Sequence, residues 1–498
     1  MHLEKPVESS AGWRRALLKY CLMAAAAAGA LQPEGVLADS RPNFVFILAD
    51  DVGYGDLGCF GQTNFATPRL DQMASEGMRL TQHYCGSTVC APSRACLLAG
   101  RHTGRVFQRT NGPHHFRDDP LDPTIAGHLR AAGYHTALIG KSGLSCIGTD
   151  GGLVNRKGFD YFFGYTSHGN AHRYYPPYLW RNDEKVFFPG NHGKQGDAYS
   201  GDLFRAEAMA YLEQRSAGEE PFFLHLSLQQ SHADLAVPEA YRQRFLGKFD
   251  EPERVASGQY RHEANPKATY AAMMTYLDES VGQVLDKLRE LGLAENTLVV
   301  FASDNGAMSE GGWSREHFNS SGPLRGGKRD LYEGGIRSPT IAWWPGRVPA
   351  GSESEHVSAF WDFAPTACEL AGVSPMAETD GISYAPTLLG RSDEQRQHEY
   401  LYWEFYEQGG RQAVRLVGRE DGAWKGVRLG VAKDPRGPVE LYNLRQDPAE
   451  KRNVADQFPG VVAAVIAAMD DAHVESPVVK FAKKKAKAKK KVVASRVK

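Results

Sequence analysis

Apolar positions along the chain fall into two textures. From Arg41 to about Gly390, short and almost continuous apolar runs alternate with longer segments of helical periodicity, which is the pattern of a mostly parallel sheet covered by helices on both faces. Four runs, at 44–49, 134–139, 222–228 and 298–302, read as buried strands, because a strand between two helical layers has no polar face to show. Past about Arg391 the runs at 400–405, 412–417, 424–429 and 440–442 are separated by Gly, Asp and Pro turns and predict a small antiparallel sheet. The segment 461–472 predicts a helix that packs its apolar face on that sheet. No internal repeat is present.

The two ends differ from this body. Arg14, Arg15 and Lys19 precede an apolar stretch at 20–31, and Val36-Leu37-Ala38 resembles a small-residue cleavage site, so residues 1–38 read as an export signal. Arg14-Arg15-Ala16-Leu17-Leu18-Lys19 also resembles a twin-arginine signal, which implies export after folding to a periplasmic or extracellular place. The stretch is too short and too rich in Ala for a spanning helix, and no later segment qualifies, so the chain is not expected to be transmembrane. At the other end, residues 480–498 hold ten of the 58 basic residues and no acid, leaving 48 against 59 acids elsewhere, a balance of −11. This Lys-rich tail has too few large apolar residues to form a core and reads as disordered. It suits a polyanion by simple charge attraction, or is a solvated appendage without a specific partner. Between the ends, 498 residues with 42% hydrophobic content allow a large core and a smaller companion, placed at 39–390 and 391–479.

Polar residues follow each of the four principal runs: Asp50-Asp51, Lys141, His232 after Gln229-Gln230-Ser231, and Asp304-Asn305. In open α/β sheets ligands sit outside the carboxyl ends of the strands, so acids, a lysine and a histidine are expected on one rim. In Cys90-Ala91-Pro92-Ser93-Arg94 the proline suits the first turn of a helix. Cys90 would then stand at a helix N-terminus, where free N–H groups favour an anion, and Arg94 on the same turn adds a permanent charge. Taken alone, Cys90 also fits an ordinary small buried residue before a helix. The six cysteines beyond the signal (Cys59, Cys85, Cys90, Cys96, Cys146 and Cys368) match no zinc spacing, and disulfides are permitted but not required.

The pentapeptide at 90–94, continued by Ala95-Cys96-Leu97-Leu98-Ala99-Gly100-Arg101, resembles the C-x-P-S-R modification motif of the sulfatase family. There a dedicated enzyme oxidises the cysteine to formylglycine, whose hydrated aldehyde is the nucleophile. Residues 43–58 (NFVFILADDVGYGDLG) and 301–306 (FASDNG) resemble the family's metal-binding blocks, and 323–335 (PLRGGKRDLYEGG) resembles a third block. The resemblance implies one divalent cation on Asp50, Asp51, Asp304, Asn305 and an oxygen of modified Cys90, with hard oxygen ligands that suit Ca²⁺ or Mg²⁺. It implies Arg94 beside the ionised hydrate, Lys141 and Lys328 on the sulfate, and His232 near the leaving oxygen. It extends from about Arg41 through Leu441-Tyr442-Asn443-Leu444 and Asp447-Pro448. The fold implied is α/β and alkaline-phosphatase-like, a large mixed or parallel sheet flanked by helices with a small C-terminal antiparallel domain.

One position departs from the pattern. The family's G-K-W-H-L-G stands here as Gly140-Lys141-Ser142-Gly143-Leu144-Ser145, so the histidine that contacts the hydrate is missing. His168 and His172 follow in a loop, and His172 reads as a replacement base, a sugar contact or a surface histidine. The expected activity is that of a sulfuric ester hydrolase acting on a sulfated carbohydrate, with aryl sulfates as artificial substrates, after maturation by a formylglycine-generating or equivalent enzyme. The aromatic stretches at 174–180 and 402–412 suit a carbohydrate pocket or ordinary packing. A phosphodiester or phosphonate monoester hydrolase on the same fold, or a glycan-binding pseudoenzyme, are the alternatives; no nucleic-acid partner is expected.

Overall fold

Ten strands form the principal sheet, in the order Ser352–Ser354, Met78–Leu80, Thr340–Trp343, Thr297–Ser303, Asn43–Ala49, Phe222–Ser227, His135–Lys141, Tyr161–Tyr165, Tyr178–Arg181 and Glu184–Phe187. The computed structural model describes residues 41–481 apart from 113, 145–150, 194 and 253–259. The expected signal, Cys146 and the tail from 482 onward lie outside the described residues. The five strands from Thr297–Ser303 to Tyr161–Tyr165 run parallel, and antiparallel neighbours on both sides make the sheet mixed.

The four runs singled out in the sequence are four adjacent strands at the centre. Alternation sends Phe46, Leu48, Val300 and Ala302 to one face, against the helices Cys90–Ala99, Ile125–Ala131 and Phe363–Leu370. Val45, Ile47, Val299 and Phe301 go to the other, against Pro68–Glu76, Ser200–Ser216 and Pro266–Glu290. Leu48 stands opposite both Ala302 and Ser227, and Gly140 opposite Ser227, so the four strands end level and their loops emerge on one rim.

The small sheet is an antiparallel meander of Tyr400–Phe405, Arg411–Leu416, Trp424–Leu429 and Val439–Asn443. One face takes Val461, Val465, Ala468 and Met469 of the helix Pro459–Ala472; the other, with Leu401, Trp403, Phe405 and Val427, joins the main core. Tyr402 and Trp403 are fully buried, Tyr402 in the core under the helix and Trp403 donating to Cys85 O at 2.9 Å, so this aromatic stretch is packing. Cys59, Cys85, Cys90, Cys96 and Cys368 are all unpaired. Among the described residues no helix is long and apolar enough to cross a membrane.

Candidate active site

Cys90 opens the helix Cys90–Ala99, with Val89 as its extended N-cap. The helix lies under the rim, so Cys90 and Arg94, one turn apart, face the strand ends. Every side chain proposed for catalysis or metal binding is buried there: Asp50, Asp51, Cys90, Arg94, Lys141, Asp304 and Asn305 are fully buried, and His232 and Lys328 nearly so. Three non-glycine residues on this rim have left-handed backbone, Asp51 (φ 67°), Ser231 (φ 82°) and Arg329 (φ 78°). Asp adopts that region with little cost, whereas Ser231 and Arg329 must be held by their surroundings, a concentration of strain typical of functional sites. Ser231 Oγ donates to Asp50 O at 2.8 Å and so fixes one of these turns.

The charged groups interlock. Lys141 Nζ lies 2.6 Å from Asp50 Oδ2, and the Cys90 thiol donates to Asp50 Oδ1 at 3.3 Å. Arg94 grips Asp304 Oδ2 with Nε (2.9 Å) and Nη2 (2.7 Å) and donates through Nη1 to Lys141 O (2.9 Å) and to Ser227 Oγ. Lys328 Nζ donates to Asp51 Oδ2 at 2.8 Å and lies 3.2 Å from His232 Nε2. Asp51 N donates to Asp304 Oδ1 at 3.2 Å, and Asn305 Nδ2 to Asp51 Oδ1 at 2.7 Å. All the catalytic and metal residues named from the sequence thus converge on one cluster.

Electrostatics sorts the three aspartates. Burial opposes ionisation of Asp50, but Lys141, Arg94 and Lys328 outweigh it and hold the carboxyl well below its ordinary range. Burial pushes Asp51 up to about 6 against the pull of Lys328, and pushes Asp304 up to about 7 with help from the neighbouring Asp50. Burial and Lys328 bring His232 down to about 3, so its imidazole is neutral and Nε2 accepts from Lys328. Burial, then Asp304 and Asp50, raise the Cys90 thiol well above its usual value.

Ligand atoms of Asp50, Asp51, Cys90 and His232 lie within 4.8 Å of one another. Asn305 Oδ1 is buried beside them without a hydrogen-bond partner. Crowded carboxylates, of which Asp51 and Asp304 resist ionisation, together with an orphaned amide oxygen, form a donor set that fits a hard divalent cation.

Gly143 has a physical reason for being glycine. Its φ is +69°, and a Cβ there would stand 2.4 Å from Arg94 Cδ, so a side chain at this position is strained and requires the Arg94 stem to shift. The neighbouring Tyr161–Tyr165 strand leads instead into the loop carrying His168 and His172. The His172 ring stacks on His232 with centroids 4.2 Å apart, and His168 meets His172 edge-on at 5.3 Å. His168 Nδ1 and His172 Nε2 are buried without partners. Burial and the adjacent cationic groups push both rings well below the usual histidine range. A cavity of about 350 Å³ opens beside His172, lined by Gly169, His172, Arg173, His192, Gly193, Asp234 and Tyr260.

The sequence reading missed Glu310. Its Oε2 lies 3.1 Å from Lys328 Nζ and its Oε1 3.1 Å from Arg329 Nε. Burial works against its charge, but Lys328 and Arg329 hold the carboxyl down at about 2. Six residues past Asp304 in a Gly-rich loop, an acid looks like any solvated turn residue, and no spacing would have singled it out.

Comparison with known proteins agrees with this geometry. Residues 42–373 match the family model described as Sulfatase, and 326–474 match the model for the C-terminal part of N-sulphoglucosamine sulphohydrolase. The chain is 34% identical over 415 residues to N-acetylgalactosamine-6-sulfatase of Canis lupus familiaris, covering 77% of this chain and 71% of that one. It is 32% identical over 486 residues to arylsulfatase A of Homo sapiens, covering 87% of each. Among solved structures, Ps i-CgsB in complex with k-i-k-neocarrahexaose superposes with a TM-score of 0.73 at 24% identity, covering 89% of this chain and 95% of that one. That likeness speaks to the fold.

Proposed function

The chain belongs to the sulfatase family and is a sulfuric ester hydrolase, and from that premise we propose that it removes sulfate from a sulfated carbohydrate by way of Cys90 matured to formylglycine. In this reading Asp50, Asp51, Asp304, Asn305 and an oxygen of the matured residue hold Ca²⁺ or Mg²⁺. The observation that supports it most is the charge pattern around Cys90. Three buried carboxylates face three permanent cations, Arg94, Lys141 and Lys328, so a bound divalent ion leaves excess positive charge for an incoming sulfate.

When present, the cation supplies Lewis-acid polarisation and the aldehyde hydrate supplies both a hydroxyl nucleophile and a second hydroxyl for release. The chain's own residues do the rest. Arg94, anchored on Asp304, places a fixed charge next to position 90. Lys141, held on Asp50, and Lys328, held on Asp51, neutralise charge growing on the sulfate oxygens. The leaving alcohol needs a proton; with His232 neutral, the mobile proton of the Lys328–His232 pair resides on Lys328, and general acid catalysis of this kind contributes roughly 10²- to 10⁴-fold. His172 stacks on His232, on the leaving-group side, which supports a contact to the sugar over a base at the nucleophile. The relatives named for N-acetylgalactosamine 6-sulfate support a carbohydrate substrate.

Peptide mass spectrometry of the active protein tests the reading. Position 90 is expected as formylglycine, with Cys90→Ala lacking sulfate release from an aryl sulfate; full activity from unmodified cysteine would overturn the mechanism. Export through residues 1–38, by a maturation route that includes the oxidising enzyme, completes the proposal.

A further inference from the structure

The cavity beside His172 holds a cation that the reaction above does not use. The guanidinium of Arg173 makes no hydrogen bond or ion pair among the described residues. Its stem is laid along Gly193, where a Cβ would stand 3.4 Å from Arg173 Cδ and where φ is +83°. Gly193 N donates to Tyr175 O at 2.7 Å, which ties this wall to the Arg173 segment. Elsewhere in the same lining the carboxylate of Asp234 is occupied by Arg261, through its backbone N–H and through Nε at 3.2 Å. The acid in the cavity is therefore neutralised while Arg173 is not. Deeper in, His172 Nε2 is buried without a partner and can donate when its neutral ring carries the proton there.

We propose that this cavity is a subsite for a second oxyanion of the substrate, a carboxylate or sulfate on the sugar next to the one that loses its sulfate, with Arg173 as the charge that selects it and His172 Nε2 as a hydrogen-bond donor. The planar fork of arginine matches both anions, and the cavity of about 350 Å³ is of the size of a single sugar ring with its substituent. The assignment rests on the sulfatase reading for its placement next to the reacting sulfate.

Three disaccharides test it, each with one cleavable sulfate and a second sugar that is a uronic acid, a sulfated hexose or a neutral hexose. Arg173→Ala is expected to lower the kcat/KM ratio of the doubly anionic over the neutral compound by about 10- to 100-fold, mostly in KM, with partial recovery in Arg173→Lys. The uronate and disulfate arms show which oxyanion is preferred. A ratio that stays within about twofold of wild type on both arms overturns the subsite. Equilibrium titration of Cys90→Ser with the same compounds, with and without Arg173→Ala, reads the subsite without turnover. A protein that hydrolyses no sulfate ester would thus defeat the catalytic reading while the titration still decides this one.

Discussion

Two clusters of buried charge can be compared in this molecule, and they differ in what is left over. At the junction of the two sheets, Lys425 lies 2.9 Å from Glu333 and 3.0 Å from Glu450, all three side chains fully buried. Glu333 also accepts from Tyr84 OH at 2.9 Å and its backbone N–H donates to Glu450 at 2.7 Å. The partners come from the Glu333–Ile336 turn, the Trp424–Leu429 strand and the loop holding Glu450, so the cluster clasps the small sheet to the large one. The clasp leaves Glu450 Oε1 outside any hydrogen bond and holds one left-handed residue, Glu450 itself (φ 49°), whereas the rim cluster, equally buried, gathers six charges against three, leaves Asn305 Oδ1, His168 Nδ1 and His172 Nε2 without partners and contains three left-handed residues. Buried charge alone therefore marks no function; buried charge with a concentration of unsatisfied atoms and left-handed backbone does.

The comparison breaks if the two clusters respond alike to mutation. Asp304→Ala should show the largest effect, a fall in turnover of about 10³-fold or more together with loss of the rise in Tm expected when Ca²⁺ is added to the parent protein, read by aryl sulfate kinetics and calorimetry. Retained metal response and wild-type turnover would remove Asp304 from the site. Lys425→Met should do the reverse: breaking a buried pair costs about 3–5 kcal/mol, seen as a lower denaturant midpoint, while turnover per folded molecule stays within about twofold. A large loss of specific activity in that variant would mean the clasp feeds the chemistry. The smallest effect is expected for His172→Ala, a rise in KM of about 3- to 10-fold with kcat nearly constant, as for a lost sugar contact. If kcat falls instead and a covalently sulfated protein accumulates in the intact mass, His172 acts in sulfate release; no change in any of these leaves it neither role.

How much of this could be read from the chain depends on how the residues are brought together. The strands at 43–49, 135–141, 222–227 and 297–303 were legible because burial on both faces writes a continuous apolar run, and the polar residue that ends each run marks the rim. The edge strand Ser352–Ser354 and its neighbour Met78–Leu80 are three residues long and leave no such trace. The small sheet was legible from its turns, but whether Tyr402 and Trp403 face a ligand or a core depended on the helix and the main layer that cover them. Cys90, the aspartates and the lysines were legible as motif blocks. Glu310 and the pairing of Arg173 with Gly193 were not, since loop contacts, with no periodicity of their own, create both.

Gly143 also ties the backbone beside Lys141 to the arginine that holds Asp304. Any side chain there needs the Arg94 stem to shift, because its Cβ would stand 2.4 Å from Arg94 Cδ, while the guanidinium beyond that stem is held on Asp304. The glycine and the arginine stem are fitted to one another, so a change at either is transmitted to the anchor on Asp304.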